Sequence, residues 1–377
     1  MTFANAFDNQ HPHSSVVGDL AADRSYLNGM LTELVKAGGS DLHLTVGASP
    51  TVRVHGSLQP LPGYETLNPA DTSMVVRAAT RDDQWARFER DHELDFAYSV
   101  EGVSRFRVNV FMQRGSLGAV FRAIPYEIRP LDELGVPDVV ARFAQLHRGL
   151  VLVTGPTGSG KTTTLAAVLD LANRTRQAHI VTIEDPIEFL HPHKRCLVNQ
   201  REVGADTDSF ATALKHALRQ DPDIILVGEL RDLETTSTAL TAAETGHLVL
   251  ATLHTQSATQ TIDRVIDIFP VHQQQQIRAQ LSLALQGVVT QALAPRADGT
   301  GRTIVTEIMT ATPAIRALIR EAKVHQIPSF IQSGAAEGML SFDQHLAQRV
   351  QQQVITLEMA INLCHSAEEL RRLVGRG

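Results

Sequence analysis

One stretch narrows the possible folds of this chain more than any other: Gly155-Pro156-Thr157-Gly158-Ser159-Gly160-Lys161-Thr162 fills every fixed position of the phosphate-binding pattern G-x-x-x-x-G-K-[ST]. The pattern works where a buried strand turns sharply into a helix. Leu150-Val151-Leu152-Val153 reads as that strand, and Thr163 to Thr175 places Leu165, Val168, Leu169 and Ala172 at helical spacing. Glycines let backbone N–H groups curl around phosphates, the Lys161 ammonium faces the outer phosphates, and the Thr162 hydroxyl can hold magnesium. Gly155, Pro156, Thr157, Gly158, Ser159, Gly160, Lys161, Thr162 and Thr163 are the expected binding loop for a nucleoside triphosphate.

The pattern around this loop predicts an α/β fold. Strand candidates Gly149 to Thr154, His179 to Ile183, Ile224 to Val227 and His247 to Thr252 alternate with helical stretches, among them Phe210, Ala213, Leu214, Ala217 and Leu218. Such alternation makes a parallel sheet covered by helices, with ligands gathered at the carboxyl ends of its strands. From Pro313 onward the chain reads as helices only.

Before this region lies a smaller α+β pattern. Residues 1–24 lack periodicity and read as a flexible tail. A helix with Leu27, Leu31, Leu34 and Val35 on one stripe follows, then strands over Asp41 to Val46, Thr51 to His55, Leu94 to Val100, Ser104 to Phe111 and Ala119 to Ile124. Pro125, Pro130 and Pro137 punctuate an expected linker over 125–137. A length of 377 residues suits two domains better than one core.

Composition removes several classes. A formal charge of −7 attracts neither DNA nor an anionic membrane, so no nucleic-acid partner is expected. No apolar run approaches the ~20 residues of a membrane span, so a cytoplasmic protein is expected. Two cysteines, Cys196 and Cys364, cannot build a four-ligand zinc cage. His11, His13, His191 and His193 show no metal-ligand spacing.

Each strand candidate of the larger region ends in polar residues. Glu184, Asp185 and Glu188 follow the second, Gly228-Glu229 the third and His254 the fourth. Four apolar residues, a glycine and an acid at 224–229 have the form of a Walker B strand, whose acid holds magnesium or orients the attacking water. The acids at 184–188 could equally cap helices, and His247 and His254 could simply bond neighbouring backbone. In the smaller region, period-2 geometry sends Phe106, Val108 and Val110 to one face and Arg105, Arg107 and Asn109 to the other, with Arg122 on the next strand. Those arginines could stabilise a γ-phosphate in the same or a neighbouring subunit, or line a solvated sheet face.

Together the phosphate loop, the acidic box 183–188, the Walker B box 221–232 and the histidine box 245–255 resemble the secretion-superfamily ATPases, within them the type IV pilus retraction ATPases. Residues 314–321, Ala-Ile-Arg-Ala-Leu-Ile-Arg-Glu, resemble their motif A-I-R-N-L-I-R-E, differing at Ala317. The tetracysteine zinc motif of the related extension and type II secretion ATPases is absent.

The resemblance implies a PAS-like N-terminal domain over 25–124, a RecA-like ATPase domain over 138–377 and a homohexamer with ATP and Mg2+ at subunit boundaries. It implies that Thr162, Asp185 and Glu229 serve the metal, that Glu229 activates water with support from Glu184, and that His254 and His247 sense the γ-phosphate. Arg107 and Arg122 would close over that phosphate. The implied partner is an inner-membrane pilus platform protein, with membrane contact only through it, at the pilus base. An accessory retraction ATPase working with a paralogous motor, a non-hydrolysing nucleotide-gated scaffold and a DNA-handling ATPase are the competing readings.

Overall fold

Alternation in residues 104–110 has the consequence its period dictates: Phe106, Val108 and Val110 are fully buried, while Arg107 and Asn109 are exposed. The computed structural model describes residues 20–54, 56–124 and 127–375, and the chain divides into two compact units between Ile124 and Pro125. Most of the sequence-read tail, and His11, His13, His55 and Pro125, lie outside the described residues.

The first unit opens with α1 (Leu20–Lys36), which starts within the segment read as a tail and buries Leu27, Met30, Leu31 and Leu34. Strands β1 (Asp41–Leu44), β2 (Thr51–Val54) and β3 (Ser57–Pro60) precede helices α2 (Pro69–Ala79) and α3 (Asp82–Asp91). Strands β4 (Glu93–Val100), β5 (Ser104–Gln113) and β6 (Ser116–Ile124) complete a six-stranded sheet, ordered β3-β2-β1-β6-β5-β4, whose pairs are all antiparallel. Asn68 starts α2 with a capping box, its Oδ1 accepting from Ala70 and Asp71 N–H while the Asp71 carboxylate accepts from Asn68 N–H.

The second unit begins with a short helix, α4 (Leu131–Leu134), and a 3-10 segment, Asp138–Gln145. Leu131 and Val136, inside the stretch read as a linker, are buried in this unit's core. Then come β7 (Gly149–Thr154), α5 (Lys161–Thr175), β8 (His179–Glu184), β9 (Leu197–Glu202), α6 (Phe210–Ala217), β10 (Ile224–Val227), α7 (Leu233–Glu244) and β11 (Leu248–Leu253). Helices α8 (Ala258–Asp267) and α9 (Val271–Ala284) lead to β12 (Leu285–Pro295) and β13 (Arg302–Thr310). The sheet runs β13-β12-β7-β11-β10-β8-β9 and is parallel except for β13. Burial on both faces explains the unbroken apolar runs of β7, β10 and β11.

Helices α10 (Pro313–Arg320), α11 (Ile327–Ser333), α12 (Phe342–Gln351), α13 (Leu357–Leu363) and α14 (Ala367–Val374) close the chain. On α10, Ile315, Leu318 and Ile319 are buried. Arg316 donates from Nη1 to the carbonyls of Ser282 and Leu283, both at 2.7 Å, satisfying acceptors at the end of α9. Among the described residues no helix is long and apolar enough to cross a membrane.

Candidate nucleotide-binding and catalytic site

The phosphate loop joins β7 to α5, and its backbone explains its glycines. A Cβ at Gly155 (φ 141°) would lie 2.2 Å from the Gln291 carbonyl oxygen and 2.7 Å from Ser159 Oγ, a clash no side chain escapes. Gly160 (φ 86°) occupies the left-handed region one residue before α5. Lys161 is 9 % exposed and folds back on the loop, Nζ donating to the carbonyls of Gly155 at 2.9 Å and Pro156 at 3.1 Å. Burial pushes its ammonium pKa down, against the pull of Glu229 and Glu188. Ser159 Oγ is buried without a hydrogen-bond partner among the described residues. A glycine cradle at a helix start, a cation within reach and an orphaned hydroxyl are the parts that bind a phosphate chain.

Across the same cleft, of about 590 Å³, stand the carboxylates. Glu184 ends β8 and is 6 % exposed. Thr182, two residues earlier and so on the same face, donates from Oγ1 to Glu184 Oε1 at 2.7 Å, and Gln200 Nε2 donates to that oxygen at 3.1 Å. Burial pushes the Glu184 carboxyl pKa up despite these two bonds. Glu229, just past β10, accepts from Arg231 Nε at 2.7 Å on Oε2, while His254 Nε2 lies 3.3 Å from Oε1. Asp185, Glu188 and Thr162 border the cleft too.

Among the described residues no group of three or more His, Cys, Asp or Glu could hold a metal alone. A magnesium ion beside phosphates needs no such cage, because it keeps waters and takes few protein ligands. The Thr162 hydroxyl, with Asp185 and Glu229 across the cleft, fits that role.

Lys161, Thr162, Glu184, Asp185, Glu229 and His254 thus come together. His247 does not join them within the chain. Its carbonyl accepts from Gly149 N–H at 3.0 Å, so it sits at the amino end of β7, six residues of about 3.3 Å each from the loop. Its ring bonds the Ala242 carbonyl at 3.0 Å. His247 precedes β11, so it lies at the amino edge of the parallel strands, away from the cleft that this chain's own phosphate loop borders.

Arg107 and Arg122 belong to the first unit, where they are exposed register partners on β5 and β6. Arg122 Nε donates to buried Asp41 Oδ1 at 2.7 Å. Burial would raise the Asp41 pKa, but hydrogen bonds from Ser40 and Arg122 overcome that and lower it.

Several residues that border the cleft or brace its walls were not placed there by the sequence. Gln200 on β9 ties Glu184 to the following loop, bonding the Phe189 carbonyl and His191 N–H, each at 2.8 Å. His191 borders the cleft, and burial lowers its pKa to about 4, while His193 accepts from Val198 N–H at 3.0 Å. Leu293 and Arg302, on the unread strands β12 and β13, also border it. The one available signal was the β-branched run Ile304-Val305-Thr306 with Val288-Val289-Thr290 before it.

Known proteins agree with this geometry. Residues 18–362 match the type II/IV secretion system protein family. The type IV pilus retractation ATPase PilT of Pseudomonas aeruginosa is 52 % identical over 334 residues, 88 % of this chain and 96 % of the relative. The type IV pilus ATPase PilU of the same organism is 43 % identical over 348 residues, 92 % of this chain and 91 % of the relative. A crystal structure of the pilus retraction motor PilT with bound ADP superposes with a TM-score of 0.85 at 47 % identity, covering 92 % of this chain and 98 % of that one. A phosphate loop facing paired carboxylates on a sheet of this order, and a match running nearly end to end, make the chain a member of the type II/IV secretion system protein family.

Proposed function

We propose that this chain is an ATP-hydrolysing motor that powers type IV pilus retraction. It would work as a homohexamer at the pilus base, on the cytoplasmic face of the inner membrane, against a platform protein of that membrane. The observation that carries the reading is the meeting of Lys161, Glu184, Glu229 and His254 around one cleft, in a chain 52 % identical to a named pilus retraction ATPase.

Lys161 would leave the loop carbonyls for the outer phosphates of ATP, and Thr162 with Asp185 would hold Mg2+, which neutralises charge developing on those phosphates. Glu229 would accept the proton of the attacking water, oriented by Arg231 and His254, with buried Glu184 as support. Arg107 and Arg122 would reach the γ-phosphate from the same or a neighbouring subunit, Arg122 exchanging Asp41 for it. Arginines donated between subunits make hydrolysis depend on assembly. His247 would meet a nucleotide only across such a boundary.

The test is retraction in the source strain deleted for this gene and complemented with wild type or Lys161→Ala. Restoration by wild type alone supports the motor. Restoration by both supports an accessory role beside a paralogous motor, or a nucleotide-gated scaffold. Intact retraction after deletion rejects the pilus assignment.

A further inference from the structure

Both glycines that bound the phosphate loop back onto one residue of a different strand. The Gln291 carbonyl oxygen lies under Gly155, and its amide nitrogen would be 3.2 Å from a Cβ at Gly160. Its Nε2 donates to the Ser159 carbonyl at 2.7 Å, inside the loop itself. The side chain is 1 % exposed. One residue earlier, the Thr290 hydroxyl bonds the Thr154 hydroxyl at 2.9 Å, fixing the end of β7 to β12 just where the loop begins.

The amide is held at a cost. Gln291 Oε1 is buried without a partner among the described residues, and turning the amide over would set that oxygen against the Ser159 carbonyl, acceptor against acceptor. An apolar residue would spare the unpartnered Oε1 but would leave the Ser159 carbonyl without this donor. A buried donor kept under such conditions points to the bond it makes.

We infer that Gln291 is a positioning residue for the phosphate loop: from β12 it holds the Ser159 carbonyl back and so keeps the loop N–H groups open toward a nucleoside di- or triphosphate. It touches no phosphate. Without its donor the Ser159 carbonyl is buried unsatisfied and turns to find another, closing part of the cradle that Gly155 to Gly160 form. The inference rests on the nucleotide-binding half of the proposed function and not on the pilus.

The full-length chain is titrated with fluorescent ADP and assayed for ATP hydrolysis as wild type, Gln291→Met, which keeps the volume and removes the donor, and Gln291→Glu, which sets an acceptor against an acceptor. Loss of one buried bond predicts a Kd for ADP and a KM for ATP raised about tenfold, with kcat within about twofold. A merely structural role would shrink the active fraction instead, lowering apparent kcat and leaving KM alone. Unchanged Kd and KM in Gln291→Met, or a fall in kcat alone, overturns the inference. If Gln291→Met does not fold, Gln291→Glu decides by the same split; if neither folds, the residue is structural and the inference fails. Wild type that binds no ADP rejects the nucleotide reading itself.

Discussion

Glu184 and Glu307 are buried alike in one sheet, 6 % and 8 % exposed, and burial raises the carboxyl pKa of both. Their surroundings separate them. Glu184 ends a parallel strand at its carboxyl edge, borders the nucleotide cleft and is held by two side chains, Thr182 and Gln200. Glu307 lies within antiparallel β13, and its Oε1 accepts from Ala258 N–H at 2.8 Å, satisfying the first turn of α8 beside the Ser257 cap. A raised pKa therefore marks a buried carboxyl, and what separates the two is position on the sheet, which sets Glu184 at the cleft and Glu307 at the start of a helix.

The largest effect that could sharpen this contrast lies next to Glu184. Glu229→Gln keeps a partner for Arg231 but cannot take a proton, and should lower the ATP turnover of the purified chain about 10²-fold or more with KM little changed. Turnover within a few-fold of wild type would move the base role elsewhere, to Glu184 first.

Glu184→Gln should come next, with turnover down about tenfold to a hundredfold. Its stability should move the other way. The amide still accepts from Thr182 and no longer buries an ionisable group, so unfolding at neutral pH should need more denaturant than wild type, a trade of stability for function. A variant less stable and equally active would place Glu184 with the structural acids.

What the sequence made legible follows from range. The phosphate loop, Glu184, Asp185, Glu229 and His254 are contiguous with the strands they follow, so apolar runs located them without tertiary information. In the second unit, strands β9, β12 and β13 went unread, as did β3 in the first. β12 begins at Leu285 directly after α9 ends at Ala284, with no turn residue between, so period could not divide helix from strand. β9 is a polar edge strand with only Val198 and Glu202 buried. Gln200 and Gln291 act over distances in sequence that no local pattern encodes. Which edge His247 occupies was not legible, because adjacency to a strand carries no sign: the residues before and after it look alike until the sheet fixes its direction.

Glu307→Gln is the smallest expected effect on function and the one that most directly tests the contrast. Its amide can still accept from Ala258 N–H, so the start of α8 keeps its partner, and ATP turnover should stay within about twofold of wild type. The stability effect depends on pH with a definite sign. Because the folded carboxyl has a raised pKa, the native state holds that proton more tightly than the unfolded chain does. This contribution is fully present below the ordinary carboxylate pKa and is lost as pH rises through the raised value. Gln has no proton to lose, so the variant should escape that decline, and its advantage in denaturant midpoint should widen from acid to neutral pH, within the roughly 0.5–3 kcal/mol span of single substitutions. Burial is the largest influence on Glu307 and outweighs the Ala258 hydrogen bond and His365, which pull the other way, while Asp343 adds to it. A pH-independent difference would mean that Glu307 is ionised in the fold and acts chiefly as an anion at the start of α8; a loss of turnover like that of Glu184→Gln would mean that the two carboxyls share one function and that position on the sheet does not separate them.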